Sequence, residues 1–77
     1  MAAFLPVVSS NITAVKYDRE AGRLVVQFGE SFYVYSGVPG DIVLDFIFSE
    51  SIGSKFNELV KKGEFSYKKV SAVEANA

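Results

Sequence analysis

The sequence predicts an α+β domain: a four-stranded antiparallel sheet with two helices packed on one face, in the order β-β-β-α-α-β. Three observations predict it. Residues 24–28 (LVVQF) and 32–35 (FYVY) are runs of β-branched and aromatic residues, separated by Gly29-Glu30-Ser31, which is a hairpin pattern. Apolar residues between Val43 and Val60 recur at helical spacing. Residues 65–70 (FSYKKV) then alternate again after a glycine stop.

The elements follow in order. Residues 1–10 read as an arm with an apolar patch at Phe4, Leu5 and Val7, and Ser9-Ser10-Asn11 is a turn or cap signal. Residues 12–17 form the first strand, 18–22 (DREAG) a hairpin loop, 23–28 the second strand and 32–36 the third. Tyr17 is expected to face Leu24, and Val15 to face Val26. A two-residue loop at Glu30-Ser31 sets Phe28 against Tyr33 and Val26 against Tyr35. Directly opposed residues share a face. One face therefore carries Val15, Tyr17, Leu24, Val26, Phe28, Tyr33 and Tyr35. The other carries Ala14, Lys16, Arg23, Val25, Gln27, Phe32 and Val34. A three-residue loop would swap the faces of the third strand and scatter the large side chains.

Pro39 suits a first helical position, because its missing N–H would be unbonded there. Asp41 then meets the positive end of the helix dipole. Val43, Phe46 and Ile47 carry this helix to about Phe48, and Ser49-Glu50-Ser51 breaks it. A second helix shows Ile52, Phe56, Leu59 and Val60 on one side and stops at Gly63, after Lys61 and Lys62. Gly53 in its first turn is a mild cost that a close contact would explain. Residues 65–70 form the fourth strand, and residues 71–77 have no period and read as a frayed tail. The organisation is an arm (1–10), one domain (11–70) and that tail, without internal repeats.

Composition narrows function further. The 77 residues include neither cysteine nor histidine, so no disulfide staples the fold, and the commonest zinc ligands and general bases are missing. The formal charge is −1 and the pI about 5.3, whereas nucleic-acid-binding domains are usually basic. From residue 49 onward, however, five lysines face four glutamates. No run approaches the roughly 20 apolar residues that cross a bilayer, and no leader pattern stands at the N-terminus. A cytoplasmic protein with no membrane contact is expected.

The ordered set Ser9-Ser10, Ile12, Val15, Tyr17-Asp18, Leu24, Val26, Phe28, Tyr33-Val34-Tyr35, Val38-Pro39, Ser51, Gly53, Phe56-Asn57 and Phe65 resembles the KTSC domain. That family takes its name from the C-terminal domain of some lysyl-tRNA synthetases and has a central Y-x-Y as its hallmark. The resemblance covers residues 9–67. It implies a small bacterial or phage protein, with RNA binding as a suggested activity. The motif positions fall on the expected core face, where packing is their plain role. Buried tyrosine hydroxyls would then need partners, which Ser9, Ser10 or Asn57 could supply.

Catalytic groups are poorly provided. Ser51 and Lys55 lie four apart on a helix, as do Asp41 and Asp45. Their plain readings are a cap beside a solvated lysine and an acidic helix face. No catalytic residue, metal, cofactor or small-molecule substrate is expected. The glycines match neither phosphate-binding fingerprint. Two binding surfaces can be drawn. Val25, Phe32 and Val34 form an apolar strip, rimmed by Lys16, Arg23 and Gln27, that would hold a protein partner. The same strip could instead be covered by Phe4, Leu5 and Val7 of the arm, or by a second copy in a homodimer. Lys55, Lys61, Lys62, Lys68 and Lys69 could meet RNA phosphates, with Phe32 stacking a base between Lys16 and Arg23. The expected function is a non-enzymatic interaction module that docks onto a protein of the transcription or translation machinery. Direct RNA binding and a homodimeric structural role are the alternatives.

Overall fold

Gly29 fixes the central hairpin. In the computed structural model, which describes residues 4–7, 9, 11–63 and 65–76, its φ is 61°, the left-handed value that a two-residue hairpin loop needs at its first position. The loop is therefore Gly29-Glu30, with Phe28 opposite Ser31. This corrects the expected register: Val26 faces Tyr33 and Leu24 faces Tyr35. The shift is two residues, so every side chain keeps its expected face. The preceding hairpin has the expected pairs, Tyr17 with Leu24 and Val15 with Val26. Its loop is held by Asp18, whose carboxylate accepts from the Glu20 and Ala21 N–H groups at 3.1 and 3.3 Å.

Among the described residues the strands are β1 (Leu5–Pro6), β2 (Ala14–Asp18), β3 (Arg23–Phe28), β4 (Ser31–Tyr35) and β5 (Tyr67–Val70). They form one antiparallel sheet in the order β1-β2-β3-β4-β5. The helices are α1 (Gly40–Ile47), α2 (Ile52–Phe56), which continues as a π-helical turn over Asn57–Lys61, and α3 (Ala72–Ala75). The architecture is α+β with five strands and three helices, one of each more than the sequence pattern showed. The extra strand is the arm: Leu5 and Pro6 pair with Val15 and Ala14, closing part of the β2 edge. The extra helix forms where a frayed tail was expected. Ser71 caps it by accepting the Glu74 N–H at 3.2 Å, and Ala75 is fully buried.

Residues of the expected core face meet the helices. Val15, Leu24, Val26 and Tyr35 are buried with Ile12, Val38, Val43, Phe46, Phe56 and Val60, while Tyr17, Phe28 and Tyr33 pack partly against them. Phe56 is the hub, with ring centroids 5.7 Å from Phe28, 5.5 Å from Tyr35 and 5.5 Å from Phe46. Pro39 stands just before α1 as its cap residue, and Asp41 lies in the first turn. Gly53 has the close contact its position called for: a Cβ there would lie 3.2 Å from the Ser9 hydroxyl. Ser10 lies outside the described residues. No described helix is long and apolar enough to cross a membrane.

Candidate functional site

The apolar strip expected to bind a protein is internal. Val25 is 0% exposed and Val34 5%. They pack with Ala75 of α3, and Phe4, Phe32 and Val70 close the cluster. The Phe4 and Phe32 rings lie 5.8 Å apart. Of the three arm residues expected to cover the strip, Phe4 does so, whereas Val7 packs on the main core and Leu5 is 51% exposed; α3 supplies the rest of the cover. The rim is used internally too. Lys16 is buried, its ammonium donating to the Ala75 carbonyl and sitting 5.2 Å from the Phe4 ring centroid. Arg23 reaches the Glu74 carbonyl at 3.5 Å. Gln27 donates to the Gly29 carbonyl at 2.8 Å. Lys16 and Arg23 hold the terminal segments on the sheet while Gln27 braces the β3–β4 loop, and the three do not frame an open docking surface.

The opposite face holds the open site. Phe28, Ser31, Tyr33, Tyr35, Lys61, Phe65 and Tyr67 line a cleft of about 480 Å³, a volume typical of small-ligand sites. The register builds it. Tyr35 faces Tyr67 across β4 and β5, so both rings project to the helix side. They stack at 5.4 Å and 26°. Tyr33 lies 6.3 Å from Tyr67 and meets Phe28 edge-on at 5.8 Å. Gly63 lets the chain fold back so that Phe65 forms the far wall. A Cβ at that position would stand 2.6 Å from the Leu59 carbonyl and 2.8 Å from the Phe65 ring. The π-helical turn ends at Lys61, whose ammonium sits 5.6 Å from the Phe28 ring centroid at the cleft rim. π-turns recur at functional sites.

The three cleft tyrosines differ from Tyr17. The Tyr17 hydroxyl donates to the Val38 carbonyl at 2.6 Å. Among the described residues no protein group is hydrogen-bonded to the hydroxyls of Tyr33, Tyr35 or Tyr67, and neither Ser9 nor Asn57 serves them. Burial, reinforced by Tyr67 and Tyr33, pushes Tyr35 above the ordinary phenol value of 10.0. Its hydroxyl keeps its proton at neutral pH and can either donate or accept.

The five lysines separate by register and pairing. Lys69 faces Tyr33 and so shares the cleft face, while Lys68 faces Val34 and belongs to the other. Lys68 pairs with Glu74 at 3.4 Å, and Lys55 with Glu58 at 3.3 Å. Among the described residues Lys61, Lys62 and Lys69 make no ion pair. Phe32, the expected base stacker, is half-buried against Phe4 on the wrong face for them. The sequence reading assigned the tyrosines to packing. Their pairing with Tyr67, which exposes 65% of its surface, is what turns the packing layer into a cleft wall. No group of three or more metal-ligating side chains occurs among the described residues.

A separate apolar surface lies at the C-terminal end of α1, where Leu44 and the cap residue Phe48 are 57% and 81% exposed. They stand four residues apart on one helix side.

A profile of the KTSC domain matches residues 8–71. An uncharacterized protein of Stutzerimonas stutzeri (strain A1501) is 32% identical over 60 residues, covering 77% of this chain and 84% of that protein. The crystal structure of a KTSC domain protein from Yersinia pestis superposes with a TM-score of 0.84 at 32% identity, over 92% of this chain and 100% of the other. Sequence pattern, fold and match agree: the chain belongs to the KTSC domain family.

Proposed function

We propose that the protein is a non-enzymatic module that binds single-stranded RNA through the aromatic cleft and the lysines beside it. The observation that carries this reading is the juxtaposition of an open tyrosine cluster with Lys61 and Lys69, neither of which is neutralised by a described carboxylate. Aromatic faces stack bases without needing a fixed sequence, and ammonium groups meet phosphates. The acidic total is no obstacle in itself, because the net charge is only −1 and several described carboxylates stand away from the cleft or are already paired. Asp41 and Asp45 are on α1, while Glu58 and Glu74 are engaged by lysines.

Binding to a fluorescent RNA decamer, followed by anisotropy across a salt series, tests this. Affinity should fall steeply with salt. Lys61→Ala with Lys69→Ala should reduce the log–log slope by about 1.4, from roughly 0.7 per phosphate contact on a single strand. A salt-independent affinity, or a slope unchanged in the double variant, would count against the reading.

A second reading keeps protein docking but moves it to α1. Leu44 and Phe48 expose more apolar surface than folding requires, and Asp41 and Asp45 flank them on the same helix. A basic amphipathic segment of a transcription or translation protein would fit there. The family's link with lysyl-tRNA synthetases motivates that setting.

A further inference from the structure

Tyr35 is 3% exposed, lines the cleft, and has a hydroxyl with no hydrogen-bonding partner among the described residues. No buried side-chain polar atom among the described residues lacks a partner, so this hydroxyl is the part of Tyr35 that opens to the cleft, whereas the Tyr17 hydroxyl is taken up by the Val38 carbonyl. The ring is fixed by Phe56 on one side and Tyr67 on the other, at 5.5 and 5.4 Å. Position is therefore imposed on this hydroxyl, and its partner is left to whatever enters the cleft. Around it stand the faces of Tyr33 and Tyr67. Beside the cleft, Lys61 and Lys69 come from two different elements, the π-turn and β5. A nucleotide within a strand carries a phosphate on each side of its base and can engage both.

Resting on the RNA-binding reading above, we propose that the cleft is a pocket for one unstacked base of a single strand: Tyr33 and Tyr67 hold the base plane, the Tyr35 hydroxyl hydrogen-bonds the base edge, and Lys61 and Lys69 take the flanking phosphates. The site then has two separable parts. Stacking and charge tolerate any base. The single hydroxyl discriminates, since only some base edges present a matching group to it in a given stacked pose.

The test compares binding of rA, rC, rG and rU decamers by wild type, Tyr35→Phe and Tyr67→Ala at one salt concentration. The wild-type protein should prefer one homopolymer by about 3–10-fold, the effect of one hydrogen bond. Tyr35→Phe keeps the ring, so it should bring all four affinities within about twofold of one another. Tyr67→Ala removes a stacking ring and should weaken all four by about tenfold, with circular dichroism checking that the variant remains folded. A preference that survives Tyr35→Phe overturns the pocket, as does equal binding of all four homopolymers by wild type. If the Lys61/Lys69 double variant still weakens binding in either case, the RNA-binding reading stands and only the base pocket falls. Failure of wild type to bind any of the four ends both.

Discussion

Phe56→Ala should cost about 3–5 kcal/mol, the usual loss for emptying a buried phenylalanine site. The position is 1% exposed and joins three rings, Phe28, Tyr35 and Phe46, that come from β3, β4 and α1. No single neighbour can swing in to refill the space, because each ring is held by its own element. Stability of about 0.05–0.15 kcal/mol per residue gives roughly 4–12 kcal/mol for a chain of this size. The substitution therefore removes a large share of it. Urea unfolding followed by far-ultraviolet circular dichroism should show the midpoint falling with the slope unchanged. A shift under about 1 kcal/mol would mean that Phe56 is not the hub of the core.

Removal of residues 71–77 should cost about 2–4 kcal/mol, from the apolar area of Val25 and Val34 returned to water with α3 gone. Part of that face stays under Phe4, which keeps the loss below full exposure of both valines. The Lys16 ammonium also loses the Ala75 carbonyl it donates to. Thermal unfolding of the shortened chain measures this, and binding of a hydrophobic dye should rise as the strip opens. RNA affinity should be unaffected, because the cleft lies across the sheet. A shortened chain as stable as the full one would show that α3 contributes nothing to covering this face.

The sheet faces were legible because strand side chains have a period of two. Val15, Tyr17, Leu24, Val26, Phe28, Tyr33 and Tyr35 were grouped correctly even though the β3–β4 pairing was displaced by two residues. Gly29 held the missing information: a left-handed first loop position favours a loop that starts at the glycine, one residue earlier. The terminal segments were less legible because short elements have little period. A two-residue strand has none. The four-residue α3 left one trace, the Ser71-x-x-Glu74 capping pattern, whose Ser71-to-Glu74 hydrogen bond forms. Cover of the second sheet face was one of the alternatives the apolar strip left open. What supplies the cover, Phe4 and α3, depends on long-range docking that no local pattern encodes.

The cleft was illegible for a related reason. Tyr33, Tyr35, Phe28 and Phe65 each read as packing residues. Only the pairing of β5 against β4 sets Tyr67 beside Tyr35 and divides Lys69 from Lys68 by face. The sequence pattern presents the five lysines as one group. Their sorting into paired ones (Lys55, Lys68) and ones at the cleft (Lys61, Lys69) is a property of register.

The central claim is that RNA enters the tyrosine cleft and leaves the opposite sheet face alone. Titration of the ¹⁵N-labelled protein with a single-stranded RNA decamer, followed by amide chemical shifts, tests it most directly. The largest shifts should fall on Tyr33, Lys61, Tyr67 and Lys69, with Val25 and Val34 unmoved. Saturating RNA that leaves those four amides unchanged, or that shifts only the Leu44–Phe48 side of α1, would contradict it.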